Sequence, residues 1–238
     1  MAAPDDADPV LRLASLGAAV LARYHRAELH GAHLLPAGPA LLVGNHGTFG
    51  LETPVFFWLL HRATRRYPIG LADRALFGGK LRSLLARLGG VPGTREGAQS
   101  LLAAGNLVVC YPGGVREVFK APEHRYRLRW EQSDGFARVA IRARVPVVPF
   151  AGLGVDHSFI HLGRLPFGER LGRYAPPLAL GPLPARLAFR LGEPMQPPAS
   201  EEDASEFKAR VQARVERLLD LRSEEHVAPS QAASSVIP

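Results

Sequence analysis

Residues 39–47 read PALLVGNHG, an uncharged apolar run stopped by Gly44 and followed at once by Asn45 and His46. A run this short and apolar, closed by turn residues, is the pattern of a strand buried on both faces, as in a parallel sheet. The pattern recurs at LVVCYP (107–112) and PVVPFAGL (146–153), with shorter candidates at PIGLAD (68–73) and ARLAFRLGEP (185–194). Segments of helical periodicity lie around and between these strands. They are residues 10–28, PVFFWLLHRATRR (54–66), KLRSLLARL (80–88), REGAQSLLAA (95–104), DGFARVAIRARV (134–145) and 201–222. Thr53 and Pro54 read as an N-cap and first helical residue, and Phe207, Val211, Val215, Leu218 and Leu219 mark the inward face of the last helix. Strands alternating with helices predict an α/β fold, a single domain with a mostly parallel central sheet flanked by helices. The expected domain covers 10–222, with an acidic disordered N-terminus at 1–9 and a disordered tail at 223–238.

Charge is unevenly spread. Residues 10–200 hold 24 bases against 11 acids, a net of +13, whereas 201–238 carry a net of −3. A core this basic attracts an anionic partner, whether a lipid surface, a phosphorylated substrate or nucleic acid. Compositional bias is the competing explanation, because 26 of the 29 bases are arginine. No nucleic-acid motif is present, so no nucleic-acid partner is expected, and Arg125, Arg127 and Arg129 beside Tyr126 and Trp130 read as a basic rim. The single cysteine, Cys110, excludes an intrachain disulfide and a cysteine-based metal cluster. No stretch reaches the ~18–20 apolar residues of a membrane-spanning helix. Residues 13–22 are apolar, but they are held between Arg12 and Arg23. The start MAAPDD lacks the positive charge of a secretory signal. The expectation is a cytoplasmic protein, peripherally associated with the membrane.

His46 is the first candidate for chemistry. Side chains that follow a buried strand sit where open α/β sheets bind their ligands. An imidazole there is suited to removing a proton from a hydroxyl group. A carboxylate is needed to fix its tautomer, and Glu52 is the acid at hand, with Gly47 and Gly50 allowing the loop to fold back. Gly113 and Gly114 follow the strand LVVCYP, and Arg116 stands two residues on; with Arg95 these form a candidate anion site. Taken singly, a loop histidine and a tight turn with a solvated arginine explain the same residues. His157 and His161 lack the glutamate of a zinc-protease helix, so no metal is expected, and no cofactor.

Taken together, four blocks resemble the lysophospholipid and glycerol acyltransferase superfamily: NHGTFGLE (45–52), GGVPGTR (89–95), YPGGVR (111–116) and VPVVPF (145–150). Their order and spacing fit from about residue 34 to 220. Two departures stand out. Five residues, where the family has four, separate His46 from an acid that is Glu52 and not aspartate, and Gly113 stands where the third block carries glutamate. These features, with WEQSDGFARVA (130–140), are similar to a branch containing diacylglycerol-acyltransferase-like proteins and plant phytyl ester synthases.

The resemblance implies an acyl donor, acyl-CoA or acyl carrier protein, and a lipid alcohol acceptor, with direct transfer and no covalent intermediate. His46 would be the base, Glu52 its orienting acid, and Arg95, Gly113, Gly114 and Arg116 substrate-binding residues. A neutral acceptor such as diacylglycerol is expected, on the reasoning that Gly113 leaves the acceptor wall wide and without a polar group. The alternatives are a lysophosphatidate acyltransferase, a thioester or ester hydrolase, and a non-catalytic lipid-binding module. A serine hydrolase would need a G-x-S-x-G elbow, which the sequence lacks.

Overall fold

A computed structural model of the chain describes residues 7–79, 81–131, 134–164 and 176–220. Among these, seven strands form one sheet in the order β1-β9-β6-β2-β5-β3-β4. They are β1 (Glu28–His30), β2 (Ala40–Gly44), β3 (Ile69–Ala72), β4 (Gly90–Pro92), β5 (Leu107–Cys110), β6 (Val147–Leu153) and β9 (Ala188–Leu191). Strands β7 (Ile160–Arg164) and β8 (Pro177–Leu180) pair separately as an antiparallel ribbon. Every neighbouring pair in the main sheet is parallel except β6 with β9. The three adjacent strands β5, β2 and β6 therefore all end at one edge.

Alternation along the strands divides the core. Leu41 and Val43 of β2 join a cluster with Leu101, Phe136, Val139, Phe207, Val211 and Val215, which come from helices α4 (Arg95–Ala103), α6 (Gly135–Ala143) and α7 (Ala204–Asp220). Ala40 and Leu42 point the other way. They pack with Ala22 of α1 (Pro9–Tyr24) and with Val55, Phe56 and Leu60 of α2 (Glu52–Thr64). Two short helices, α3 (Leu81–Arg87) and α5 (Val115–Val118), complete the set. An α/β domain with a mostly parallel sheet covered on both faces is thus what forms.

Several boundaries differ from the sequence reading. Asp8, within the stretch expected to be disordered, is the N-cap of α1: its carboxylate accepts from Val10 N–H at 2.8 Å and pairs with Arg87 at 2.6 Å. Residues 1–6 and the expected tail, 223–238, lie outside the described residues. Helix α2 begins at Glu52, one residue before the proposed cap Thr53, because Glu52 turns inward to His46 and draws the first turn with it. Strands β1, β4 and β7 carry no apolar run long enough to announce them, and the apolar run that becomes β8 lies in a stretch dense in proline and glycine that reads as loop. Helix α1 seats its small face, Leu11, Ala18 and Ala22, against the core. Leu13, Leu16 and Val20 face outward at 71, 66 and 68 % exposure.

Beyond the last backbone pair of β2 and β6, the Asn45 side chain continues the ladder. Its Oδ1 accepts from Gly152 N–H at 2.7 Å and its Nδ2 donates to the Gly152 carbonyl at 3.0 Å. Asn45 is buried, so nothing else would satisfy those two backbone groups. Asn45→Ala is expected to lower unfolding free energy by about 2–4 kcal/mol, the cost of leaving a buried donor and acceptor unmet. Urea denaturation of the two proteins measures it.

Candidate active site

The site lies at the carboxyl ends of β2, β5 and β6. Strand β2 delivers His46, whose side chain is 16 % exposed. Its Nδ1 lies 2.5 Å from Oε1 of Glu52, a carboxylate only 2 % exposed. The same oxygen accepts from Gly47 N–H at 2.9 Å. Burial by itself raises the Glu52 pKa, but the His46 charge, the His46 hydrogen bond and the Gly47 N–H outweigh it and hold the carboxyl below its ordinary range. Glu52 is therefore an acceptor only, so in the neutral imidazole Nδ1 carries the proton and Nε2 keeps the lone pair.

The five-residue spacing is accommodated by a tight loop. Phe49 is left-handed at φ 59°, and so is Gly50 at φ 68°. A Cβ at Gly50 would come within 3.0 Å of the His46 ring, and one at Gly47 within 2.8 Å of Glu52 Oε2. The glycines thus let the loop close over the dyad from both sides. Tyr111, at the end of β5, stacks on the imidazole with ring centroids 3.9 Å apart and planes 13° from parallel. Burial, followed by the nearby Glu52 charge, pushes the Tyr111 phenol well above its ordinary pKa. Phe49 packs edge-on against Phe159 and Phe119, at 4.8 and 6.1 Å between centroids.

Strand β5 then turns through Gly113 and Gly114 into α5. Gly114, at φ 51° and ψ −137°, has a backbone conformation open to glycine alone. Its N–H donates to the Tyr111 carbonyl at 3.0 Å, which closes the turn and commits that donor. The expectation that Gly113 leaves the acceptor wall open does not hold. A Cβ on Gly113 would land on the carboxyl group of Glu117, which fills that space.

Glu117 is fully buried and bridges two backbone donors, His46 N–H to Oε2 at 2.7 Å and Arg129 N–H to Oε1 at 2.8 Å. Lys120 takes the other half of the His46 residue: its Nζ donates to the His46 carbonyl at 2.7 Å and pairs with the buried Asp156 carboxylate at 2.7 Å. Asp156 also accepts from Tyr126 N–H at 2.8 Å. Sequence reasoning missed the parts played by Glu117 and Lys120; the acid in YPGGVRE, four residues beyond Gly113, was the available signal.

Arg116 is half-buried on α5. Arg95 opens α4 at the far side of the sheet, 51 % exposed and 3.8 Å from Asp134. Strand β4, which precedes it, is three strand positions from β2, or about 14 Å along the same edge. The structure brings together His46, Glu52 and the Gly113–Gly114 turn, and places Arg95 beside Asp134 at the start of α6. His157 is exposed and His161 partly so. Among the described residues no cluster of histidine, cysteine, aspartate and glutamate could hold a metal ion.

The Acyltransferase family profile matches residues 26–152. The "DGAT1/2-independent enzyme synthesizing storage lipids" of Gallus gallus is 32 % identical over 200 residues, covering 82 % of this chain and 60 % of its own length. The Homo sapiens protein of the same name is 32 % identical over 206 residues, covering 83 % and 62 %. "Phytyl ester synthase 2, chloroplastic" of Arabidopsis thaliana is 33 % identical over 127 residues, half of this chain and 18 % of that one. The chain thus spans about 60 % of the length of the storage-lipid relatives. Among solved structures, the 1-acyl-sn-glycerophosphate (LPA) acyltransferase PlsC from Thermotoga maritima superposes with a TM-score of 0.61 at 18 % identity. It covers 93 % of this chain and 81 % of that one, a likeness of fold.

The geometry predicts that the neutral form of the His46 imidazole is the Nδ1–H tautomer. Nitrogen NMR of histidine-labelled protein should find Nδ1 protonated and Nε2 bare, with this preference weakened in Glu52→Gln. An Nε2–H tautomer in the wild type would contradict the assignment.

Proposed function

We propose that this chain, which belongs to the Acyltransferase family, moves a fatty acyl group from acyl-CoA or acyl carrier protein onto the hydroxyl of a neutral lipid alcohol such as diacylglycerol. The observation that carries the reading is the His46–Glu52 dyad, with Nδ1 bound and Nε2 left as a base at a strand-end site. His46 Nε2 takes the hydroxyl proton as the acceptor oxygen attacks the thioester carbonyl. The tetrahedral intermediate collapses, the C–S bond breaks, and the leaving thiolate takes the proton back from the imidazolium. Glu52, desolvated beside the ring, stabilises that imidazolium. Transfer is direct. Cys110 supplies no nucleophile, because burial pushes its thiol up to about 12.

The neutral-acceptor reading rests on what surrounds His46. Lys120, the cation touching the His46 carbonyl, is already neutralised by Asp156, and Phe49, Phe119 and Phe159 give the loop an aromatic wall. A phosphomonoester would have to compete with the donor for Arg116, whereas a neutral alcohol needs no cation and loses little on leaving water. The names of the relatives, storage-lipid and phytyl-ester synthases, support the same choice. Arg95 and Arg116 are assigned to the donor's phosphates; a long thioester donor can reach along the sheet edge to Arg95.

We also assign the chain to a membrane surface. No helix among the described residues is long and apolar enough to cross a bilayer. The outward residues Leu13, Leu16 and Val20, with Arg12 and Arg23 beside them, suit a helix lying in the interface. The exposed ribbon residues Ile160, Leu162, Leu178 and Leu180 extend that surface, joined to α1 by the Tyr24 hydroxyl donating to the Pro182 carbonyl at 3.2 Å.

His46→Ala is expected to lower turnover at least ~100-fold while the protein stays folded, and Glu52→Gln to lower it less, as judged by initial rates and circular dichroism. Offered diacylglycerol and lysophosphatidate together with one acyl-CoA, the enzyme should acylate diacylglycerol preferentially; preference for lysophosphatidate would sink the neutral-acceptor reading and leave the base intact. Flotation with liposomes should strengthen with anionic lipid and weaken with salt, as the net charge of +13 over residues 10–200 requires.

A further inference from the structure

Gly113 and Glu117 occupy one volume between them. The carboxyl group of Glu117 sits where any side chain on residue 113 would begin, and from there it accepts the backbone N–H of His46 at 2.7 Å and that of Arg129 at 2.8 Å. At 0 % exposure its carboxyl group lies away from bulk water, and these two backbone donors, with Lys120 nearby, are what it is given in exchange. Burial pushes its pKa up, and the Arg129 and His46 N–H groups and Lys120 work against that rise. The His46 residue is thus gripped at its N–H by Glu117, at its carbonyl by Lys120 and at its ring by Glu52.

We infer that Glu117 is a positioning residue for the His46 base, and that its carboxylate replaces, from one helical turn downstream, the glutamate that the third acyltransferase block carries at the position of Gly113. The carboxylate is kept while its point of attachment has moved four residues along the chain. Glycine at 113 is then required by volume, and Gly113 has no part in widening the acceptor pocket. Fixing the His46 backbone matters because a base displaced by about 1 Å can lose on the order of 100-fold in rate.

The inference predicts that the two positions are exchangeable as a pair. Gly113→Glu alone forces a second carboxylate onto the first, and Glu117→Gly alone leaves two buried N–H groups without an acceptor. The double variant Gly113→Glu/Glu117→Gly removes both faults. Two carbon–carbon bonds reach about 2.5 Å from Cβ to the carboxyl carbon, enough to restore the carboxylate to its present place. Glu117→Gln keeps the volume but turns an NH2 toward one of the two donors.

The test measures kcat and KM on the full chain, with palmitoyl-CoA and dioleoylglycerol in phosphatidylcholine/phosphatidylglycerol vesicles, beside thermal unfolding. Each single substitution, Glu117→Gln included, should lower kcat roughly 10- to 100-fold with KM within about twofold. The double variant should recover to within about fivefold of wild type. A folded double variant no more active than the weaker single one, or a folded Glu117→Gln with wild-type kcat, would overturn the inference. If neither folds, hydrogen exchange of the His46 amide in the wild type decides: slow exchange at the global unfolding limit supports the bond to Glu117, and fast exchange refutes it. The inference rests on His46 being the base, and the two fail differently. An active His46→Ala variant removes the base itself, whereas failure of the exchange leaves His46→Ala inactive.

Discussion

A carboxylate taken out of water costs several kcal/mol unless donors meet it, and this protein buries three at one edge of its sheet. Glu52 is 2 % exposed, and Glu117 and Asp156 not at all. The loops there are arranged to answer them. Glu52 is met by the His46 ring and Gly47 N–H, Glu117 by the His46 and Arg129 N–H groups, and Asp156 by Lys120 and Tyr126 N–H. Each carboxylate binds groups from a different stretch of chain, so the ends of β2, β5 and β6 are held in one relative position. A histidine whose ring, N–H and carbonyl are all held by buried groups has little freedom to swing away. That rigidity is what a proton transfer within hydrogen-bond reach requires.

The legible part of this molecule was what burial writes into sequence. PALLVGNHG, LVVCYP and PVVPFAGL became β2, β5 and β6 because a strand covered on both faces must be apolar throughout. His46 and Glu52 were readable because a histidine at a strand end with one acid within reach leaves few pairings, and they meet at 2.5 Å. The illegible part depended on long-range contact. Lys120 and Asp156 look like ordinary loop charges in sequence, and only the folded chain makes them a buried pair. Strands of three or four residues such as β1 and β4 take their identity from neighbours far along the chain, not from any pattern of their own. Which face of α1 meets the core was not legible either: periodicity marks an apolar stripe without saying which stripe is buried, and here Leu11 and two alanines are.

Gly113 illustrates how reading one residue at a time can mistake filled space for empty space. Read singly, a glycine in place of an acid suggests an emptier and less polar wall. In the fold the carboxyl group of Glu117 fills the space beside Gly113, so the wall is neither empty nor apolar there. The case for a neutral acceptor therefore rests on the pairing of Lys120 and on the aromatic wall, and no longer on the glycine.

The pairing of β1 with β9 also sets the order in which the chain can be completed during synthesis. Residues 28–30 lie parallel to residues 188–190, and the buried His25 meets the Ala185 carbonyl at 3.1 Å across a separation of 160 residues. At a ribosomal rate of about 5–20 residues per second, α1 and β1 leave the tunnel roughly 8–32 s before the strand that seats them. Through that interval β1 and the buried His25 lack their partners, while α2, made soon after α1, can already cover the Ala22 face of that helix. The β1 edge of the sheet is thus the last to close, and it does so only when the chain has been made almost to its final helix.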